Sequence, residues 1–145
     1  ITSDNRAVGS ELIGQKFNSP HYFHGRPSAA DPAYNASGST GSNFGPSNVK
    51  FLEVVTKRIE QVRDENGLAA AIPIPADLVL ASASGLDPHI SVESAMLQVK
   101  RIAGERGLSE PELEEIVRQH IENPLLGIWG QPRVNVLKLN RALDN

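Results

Sequence analysis

A change of periodicity at Val49 constrains this chain more than any other feature. Upstream of it turn-forming residues dominate, in Ser37-Gly38-Ser39-Thr40-Gly41-Ser42-Asn43 and again in Gly45-Pro46-Ser47-Asn48. Such runs favour bends over a helical face, so the first 48 residues are expected to run as loops and short strands. Residues 8–17 read as one strand broken at Gly14, and Tyr22-Phe23 as a second short one. Downstream, Leu52, Val55, Ile59 and Val62 recur at helical spacing with Lys57, Arg58, Glu60 and Arg63 between them, the pattern of an amphipathic helix. Ser47 or Asn48 can cap its start, and Gly67 suits the left-handed residue beyond its end.

Two more helices follow by the same logic. Val92, Ala95, Met96, Val99, Ile102 and Ala103 share one face of a helix over 92–106, with Ser91 at its N-cap and Gly107 as its stop. Ser109-Glu110-Pro111-Glu112 is a capping box that tolerates proline in the first turn, and Leu113, Ile116, Val117 and Ile121 mark the third helix, closed by Asn123-Pro124. Leu78-Val79-Leu80 reads as a short buried strand. Residues 134–139 read as a strand passing into a terminal turn, although Val136, Leu139, Asn140 and Leu143 also fit a helix face. The predicted class is α+β: three amphipathic helices packed on a small sheet formed from N- and C-terminal segments, in a single domain over 1–145.

Composition narrows the chemistry. The net charge is −3, and basic residues are interspersed with acidic ones, so no run can neutralise a series of phosphates and nucleic acid is excluded as the expected partner. The absence of cysteine removes disulfides, thiolate zinc sites and a cysteine nucleophile. The least charged long stretch, 67–85, carries Asp77 and is interrupted by Pro73 and Pro75, so it is not expected to span a bilayer. No charged segment followed by an apolar one opens the sequence.

Several residues could carry chemistry or contact. Asp87-Pro88-His89 sets a carboxylate near an imidazole, with Ser82, Ser84 and Ser91 close in sequence, as a small hydrolase would need. The simpler reading has Asp87 accepting local backbone N–H groups while His89 serves the fold. His21, His24, His89 and His120 show no zinc-type spacing, and no metal is expected. The loop over 37–48 precedes a helix and could cradle a phosphate, with Gln15 as an alternative ligand contact, but it lacks a lysine-bearing phosphate-loop pattern. Arg26 in Gly25-Arg26-Pro27-Ser28, preceded by Tyr22 and Phe23, suits fork-like pairing with a partner's carboxylates or an internal ion pair. Arg133 and Asn135 face the same choice. Trp129 is an interface anchor or, more simply, an aromatic plugging the space beneath a loop.

Four polar stretches carry a more specific signal: Gly9-Ser10-Glu11-Leu12-Ile13-Gly14-Gln15, Tyr22-Phe23-His24-Gly25-Arg26-Pro27-Ser28, Ser84-Gly85-Leu86-Asp87-Pro88-His89-Ile90-Ser91 and Arg133-Val134-Asn135-Val136-Leu137. In this order, with Tyr34-Asn35, Gly45-Pro46-Ser47-Asn48 and Pro75-Ala76-Asp77-Leu78-Val79 between them, the chain resembles the C subunit of the bacterial Kdp potassium-transporting P-type ATPase. The resemblance implies a non-catalytic accessory subunit of an ATP-driven potassium importer. Its implied partners are a channel-like potassium-binding subunit and the P-type ATPase catalytic subunit. It also implies a plasma-membrane location, with one N-terminal transmembrane helix and a soluble domain on the extracytoplasmic face. This chain lacks that helix and is expected to be the soluble domain alone. The family role is that of a catalytic chaperone raising the ATP affinity of the pump subunit. ATP is the one cofactor that reading would admit, yet an outer domain would not meet cytoplasmic ATP, so stabilising the channel-like subunit is the simpler expectation. No catalytic residue is implied. Arg26, Asp87 and His89 are then candidates for contact or fold.

Overall fold

The computed structural model describes residues 2–3, 6–7, 9–124 and 126–144. Two short strands, β1 (Thr2–Ser3) and β2 (Arg6–Ala7), pair antiparallel near the start. Helix α1 spans Val49–Asn66, capped by the Asn48 side chain, which accepts the Lys50 and Phe51 N–H groups. It ends at Gly67, whose φ of 60° is the left-handed turn that glycine adopts without strain. Strand β3 (His89–Ser91) leads into α2 (Val92–Arg106), and α3 (Glu110–Gln119) follows with the Ser109–Glu112 capping box complete. Strands β4 (Ile121–Glu122) and β5 (Arg133–Asn135) precede a last helix, α4 (Val136–Ala142).

The α+β class is what the structure has, but its sheet is assembled differently from the expectation. Strand β5 lies between β3 and β4, antiparallel to both, with Ile90 opposite Val134 and Val134 opposite Ile121. All three strands come from residue 89 onward, so among the described residues no N-terminal segment joins this sheet. Residues 9–17 and Tyr22-Phe23 form no strand, and Val8 lies outside the described residues. The physical reason is visible at Phe23 and His24. Asn140 accepts the Phe23 N–H at 2.8 Å and donates to its carbonyl at 2.9 Å. Gln98 accepts the His24 N–H at 2.8 Å and donates to the His24 carbonyl at 3.1 Å. Two side-chain amides thus supply what a neighbouring strand would otherwise give, so the obligation to pair buried backbone groups is met without a ladder.

Three smaller expectations also change. Leu78-Val79-Leu80 is not a strand: Ala76–Leu78 is a 3-10 turn that places Asp77 at the start of α2. Its carboxylate accepts the Ser91 N–H at 2.6 Å and the Ser94 hydroxyl at 2.6 Å, a favourable position for negative charge at a helix N-terminus. The strand over 134–139 is cut short, because Asn135 accepts the Lys138 N–H and starts α4, which carries Val136, Leu139 and Asn140 inward. Ile121 belongs to β4 and not to α3, which ends at Gln119.

The core joins α2, α3, α4 and the sheet through Phe23, Ile90, Ala95, Val99, Ile102, Leu113, Val117, Val134 and Leu139. Phe23 is fully buried at its centre, a contribution of about 2–3 kcal/mol from apolar area alone. Helix α1 is different: its one buried residue is Asn66, and Leu52 is 52% exposed despite lying on the apolar stripe.

Candidate functional site

The four polar stretches, distant in sequence, meet one another in the fold. Gly14 N–H donates to the Leu86 carbonyl at 2.8 Å, Ser28 Oγ to the Gly85 carbonyl at 2.7 Å, and Val136 N–H to the Pro88 carbonyl at 3.0 Å. Asn135 pairs with His89 across the sheet and donates its amide to the Glu11 carbonyl at 2.8 Å. Close approach explains two glycines. A Cβ on Gly14 would lie 2.8 Å from the Asp87 carbonyl oxygen, and one on Gly85 would lie 2.6 Å from that of Thr40. At Gly14 glycine therefore serves contact between segments, whereas at Gly85, with φ of 67°, it serves both that contact and a left-handed bend.

Charges are interlocked over this surface. Arg26 Nη1 lies 3.1 Å from Asp87 Oδ2, joining the second stretch to the third. The His89 ring stands between two carboxylates, with Nδ1 3.3 Å from Asp87 and Nε2 3.2 Å from Glu122. Glu122 also faces Arg133 at 3.4 Å and Lys138 at 3.0 Å, and Lys138 reaches Glu11 at 3.2 Å. Burial pushes the Glu122 carboxyl up, but hydrogen bonds and charge from Lys138, the His89 ring and Arg133 outweigh it and hold the group below its ordinary value. Lys138 is raised, first by its hydrogen bond to Glu122 and then by that to Glu11. Tyr34, whose hydroxyl donates to the Arg26 carbonyl, is pushed up to about 12 by burial and by the Asp87 charge, with Arg26 opposing.

The arrangement around His89 is poorly suited to nucleophilic chemistry. Asp87 Oδ1 accepts the His89 N–H at 3.0 Å, as a local turn would have it. Both ring nitrogens face carboxylates, and the nearby serines are engaged elsewhere: Ser91 Oγ with Asp77 and Ser94, Ser84 Oγ with the Leu86 N–H. A base needs hydrogen-bond reach to the proton it takes, and none of these hydroxyls is bonded to the ring. The other histidines are dispersed, His21 beside Glu105, His24 beside Glu65 and His120 on the Ile116 carbonyl. Among the described residues no cluster could hold a metal ion. In the 37–48 loop, Thr40 N–H and Ser39 Oγ both donate to the Ser84 carbonyl and Asn48 caps α1, so these groups bind protein.

The predicted contact residues fall into two sets. Phe23 and Asn135 are buried, 0% and 2% exposed, and belong to the core and to the α4 cap. Tyr22, Arg26 and Arg133 reach the surface, Tyr22 donating to Asp144 and stacking beneath Arg106. Gln15 lies against Gly9, at the edge of a cleft beside α1. Trp129 plugs nothing: it is 73% exposed, with Leu126 at 83% and Ile128 at 81% on the same loop. Sequence reasoning missed Gln98, Asn140, Arg101 and Arg106. Gln98 gave a signal, because it is a polar residue on the apolar stripe of α2 between Ala95 and Ile102. The two arginines gave none; they donate to carbonyls of Tyr22 and His21 respectively.

A small α+β domain whose polar motifs are consumed in joining its own segments, and whose free surface displays apolar loop residues, has the features of a contact module. A family model described as K+-transporting ATPase, c chain, matches residues 1–145. The chain is 53% identical to a Potassium-transporting ATPase KdpC subunit of Dechloromonas aromatica, over 100% of this chain and 76% of that one. It is 52% identical to the one of Sorangium cellulosum, over 99% and 76%, and 52% to that of Caldanaerobacter subterraneus, over 99% and 73%. The chain belongs to the KdpC family of potassium-transporting ATPase subunits. Among the described residues no helix is long and apolar enough to cross a membrane.

Proposed function

We propose that this chain acts as a non-catalytic accessory subunit of an ATP-driven potassium importer, docking from the extracytoplasmic side against the channel-like subunit and supporting the P-type ATPase subunit. The observation that carries the docking is the loop over 126–130. Leu126, Ile128 and Trp129 are three of the most exposed large apolar side chains described, and they occur within four residues. Burying them against a partner would remove apolar surface from water in a way the isolated chain does not, and tryptophan is a frequent anchor of such contacts. Glycines at 127 and 130, with φ of 74° and 108°, shape the loop that presents them. Arg133, three residues beyond the loop with its side chain 57% exposed beside Glu122, supplies a polar component of the contact.

The test is co-purification of the complex with the full-length subunit carrying Trp129→Ala or Ile128→Ser. Recovery of the partner subunits is expected to fall several-fold while the helical circular dichroism signal of the variant is unchanged. Undiminished recovery with both variants overturns the docking surface.

A further inference from the structure

Between the 24–28 segment and the inward side of α1 lies a cleft of about 510 Å³ that the contact function leaves unused. Its volume is that of a small-molecule site. Its walls are fixed: the Gln98 amide holds both backbone groups of His24, and Tyr34 donates to the Arg26 carbonyl. The charge along it is unbalanced. Lys16, Arg26 and Arg58 line it against one carboxylate, Glu65. Glu65 is already held by the His24 ring at 3.3 Å and by the Gln61 amide at 2.6 Å, and Arg26 pairs with Asp87.

That leaves two cations without an anion. Arg58 donates Nη1–H to the Val79 carbonyl at 3.0 Å, and neither it nor Lys16 forms an ion pair among the described residues. Burial pushes the Arg58 guanidinium below the ordinary arginine value, the mark of a cation partly stripped of water with no charge to compensate it. A guanidinium in that position favours a planar or tetrahedral oxyanion, which it can engage with two parallel N–H groups. Phe17 and Val62, also on the walls, offer apolar contact for a short organic body.

We propose that this cleft is a binding site for a small organic anion, carrying a carboxylate or phosphate group that sits on Arg58 and Lys16. The site belongs to the chain itself and does not rest on docking, so its failure would leave the accessory-subunit reading standing.

The experiment is a two-dimensional amide NMR titration of the chain with inorganic phosphate, with succinate and with neutral succinamide, at ionic strength held constant with chloride. Saturable shifts at Lys16, Gly25, Arg58 and Glu65 are expected with phosphate, succinate or both, and none with succinamide. The responding probe then tells phosphate from carboxylate. Arg58→Gln and Lys16→Gln should each weaken binding by at least about tenfold, the loss of a charge-assisted contact. Lys16 is exposed, so its variant decides the matter if Arg58→Gln disturbs the fold. The proposal is overturned if no shift saturates below about 20 mM ligand, if succinamide acts as the anions do, or if folded variants bind undiminished.

Discussion

Tyr34 holds the backbone where two of the polar stretches meet. Its φ of 63° is uncommon for a residue with a side chain, and its ring fills the space that a side chain at position 14 would need, 2.3 Å from a Cβ placed on Gly14. Its raised value gives a sign that can be worked out. In the unfolded chain the phenol ionises near its ordinary 10, whereas in the folded chain burial and Asp87 hold the proton to about 12. The native state binds this proton more tightly, so the stabilisation is fully present below pH 10 and is lost as the pH rises towards 12. The loss is about 2–3 kcal/mol for a shift of this size. Urea denaturation between pH 9.5 and 11.5 should therefore show a steeper decline for the parent than for Tyr34→Phe. Equal slopes would mean that the phenol is ionised as readily in the fold as out of it.

At the scale of elements, Glu122 ties β4 to its neighbours: it faces His89 on β3, Arg133 on β5 and Lys138 on α4. Strand β4 is two residues long, too short to be held by its ladder alone. A carboxyl held below its ordinary value stabilises the fold above that value, and the stabilisation disappears as pH falls through the folded value. With about a third of the side chain exposed, solvent screening limits this to below about 1 kcal/mol. Glu122→Gln should lose that amount at neutral pH and show a shallower decline below pH 4.5, read from thermal midpoints. The helices α1, α2 and α3 were legible because each carries a 3.6-residue stripe with an Asn or Ser cap before it, and glycine follows the first two. The strands were not. Two or three residues cannot display alternation, and the apolar run after Arg133 satisfies a strand and a helix alike until Asn135 caps α4. The four motifs meet in the fold, which their positions along the chain do not reveal. Their mutual contacts depend on pairings across up to 124 residues, which no local pattern encodes.

Across the whole molecule, a loop-rich first third is fastened to a helical remainder by side chains from the helices. Asn140 and Gln98 clamp Phe23 and His24, Arg101 donates to carbonyls of Pro20 and Tyr22, and Arg106 to those of His21 and Leu143. The arginine bonds to Pro20 and His21 lie at the surface, but the two amide clamps are enclosed: Asn140 is 1% exposed, Gln98 is 1% exposed and Phe23 is fully buried. Opening them locally would strand polar groups in the core, so this segment should exchange hydrogen only when the whole domain opens. The Phe23 and His24 amides, in no helix or strand, are therefore expected to match the slowest amides of α2 in a native-state exchange experiment, while that of Ser42 exchanges near the free rate. Asn140→Ala removes the acceptor and the donor of Phe23 together and should lower unfolding stability by about 2–4 kcal/mol. In that variant the Phe23 amide and the α2 amides should lose protection by the same factor, because the clamp belongs to the same cooperative unit as the core. Faster exchange at Phe23 alone, with α2 untouched, would show instead that the first third is a detachable cover over a helical domain complete without it.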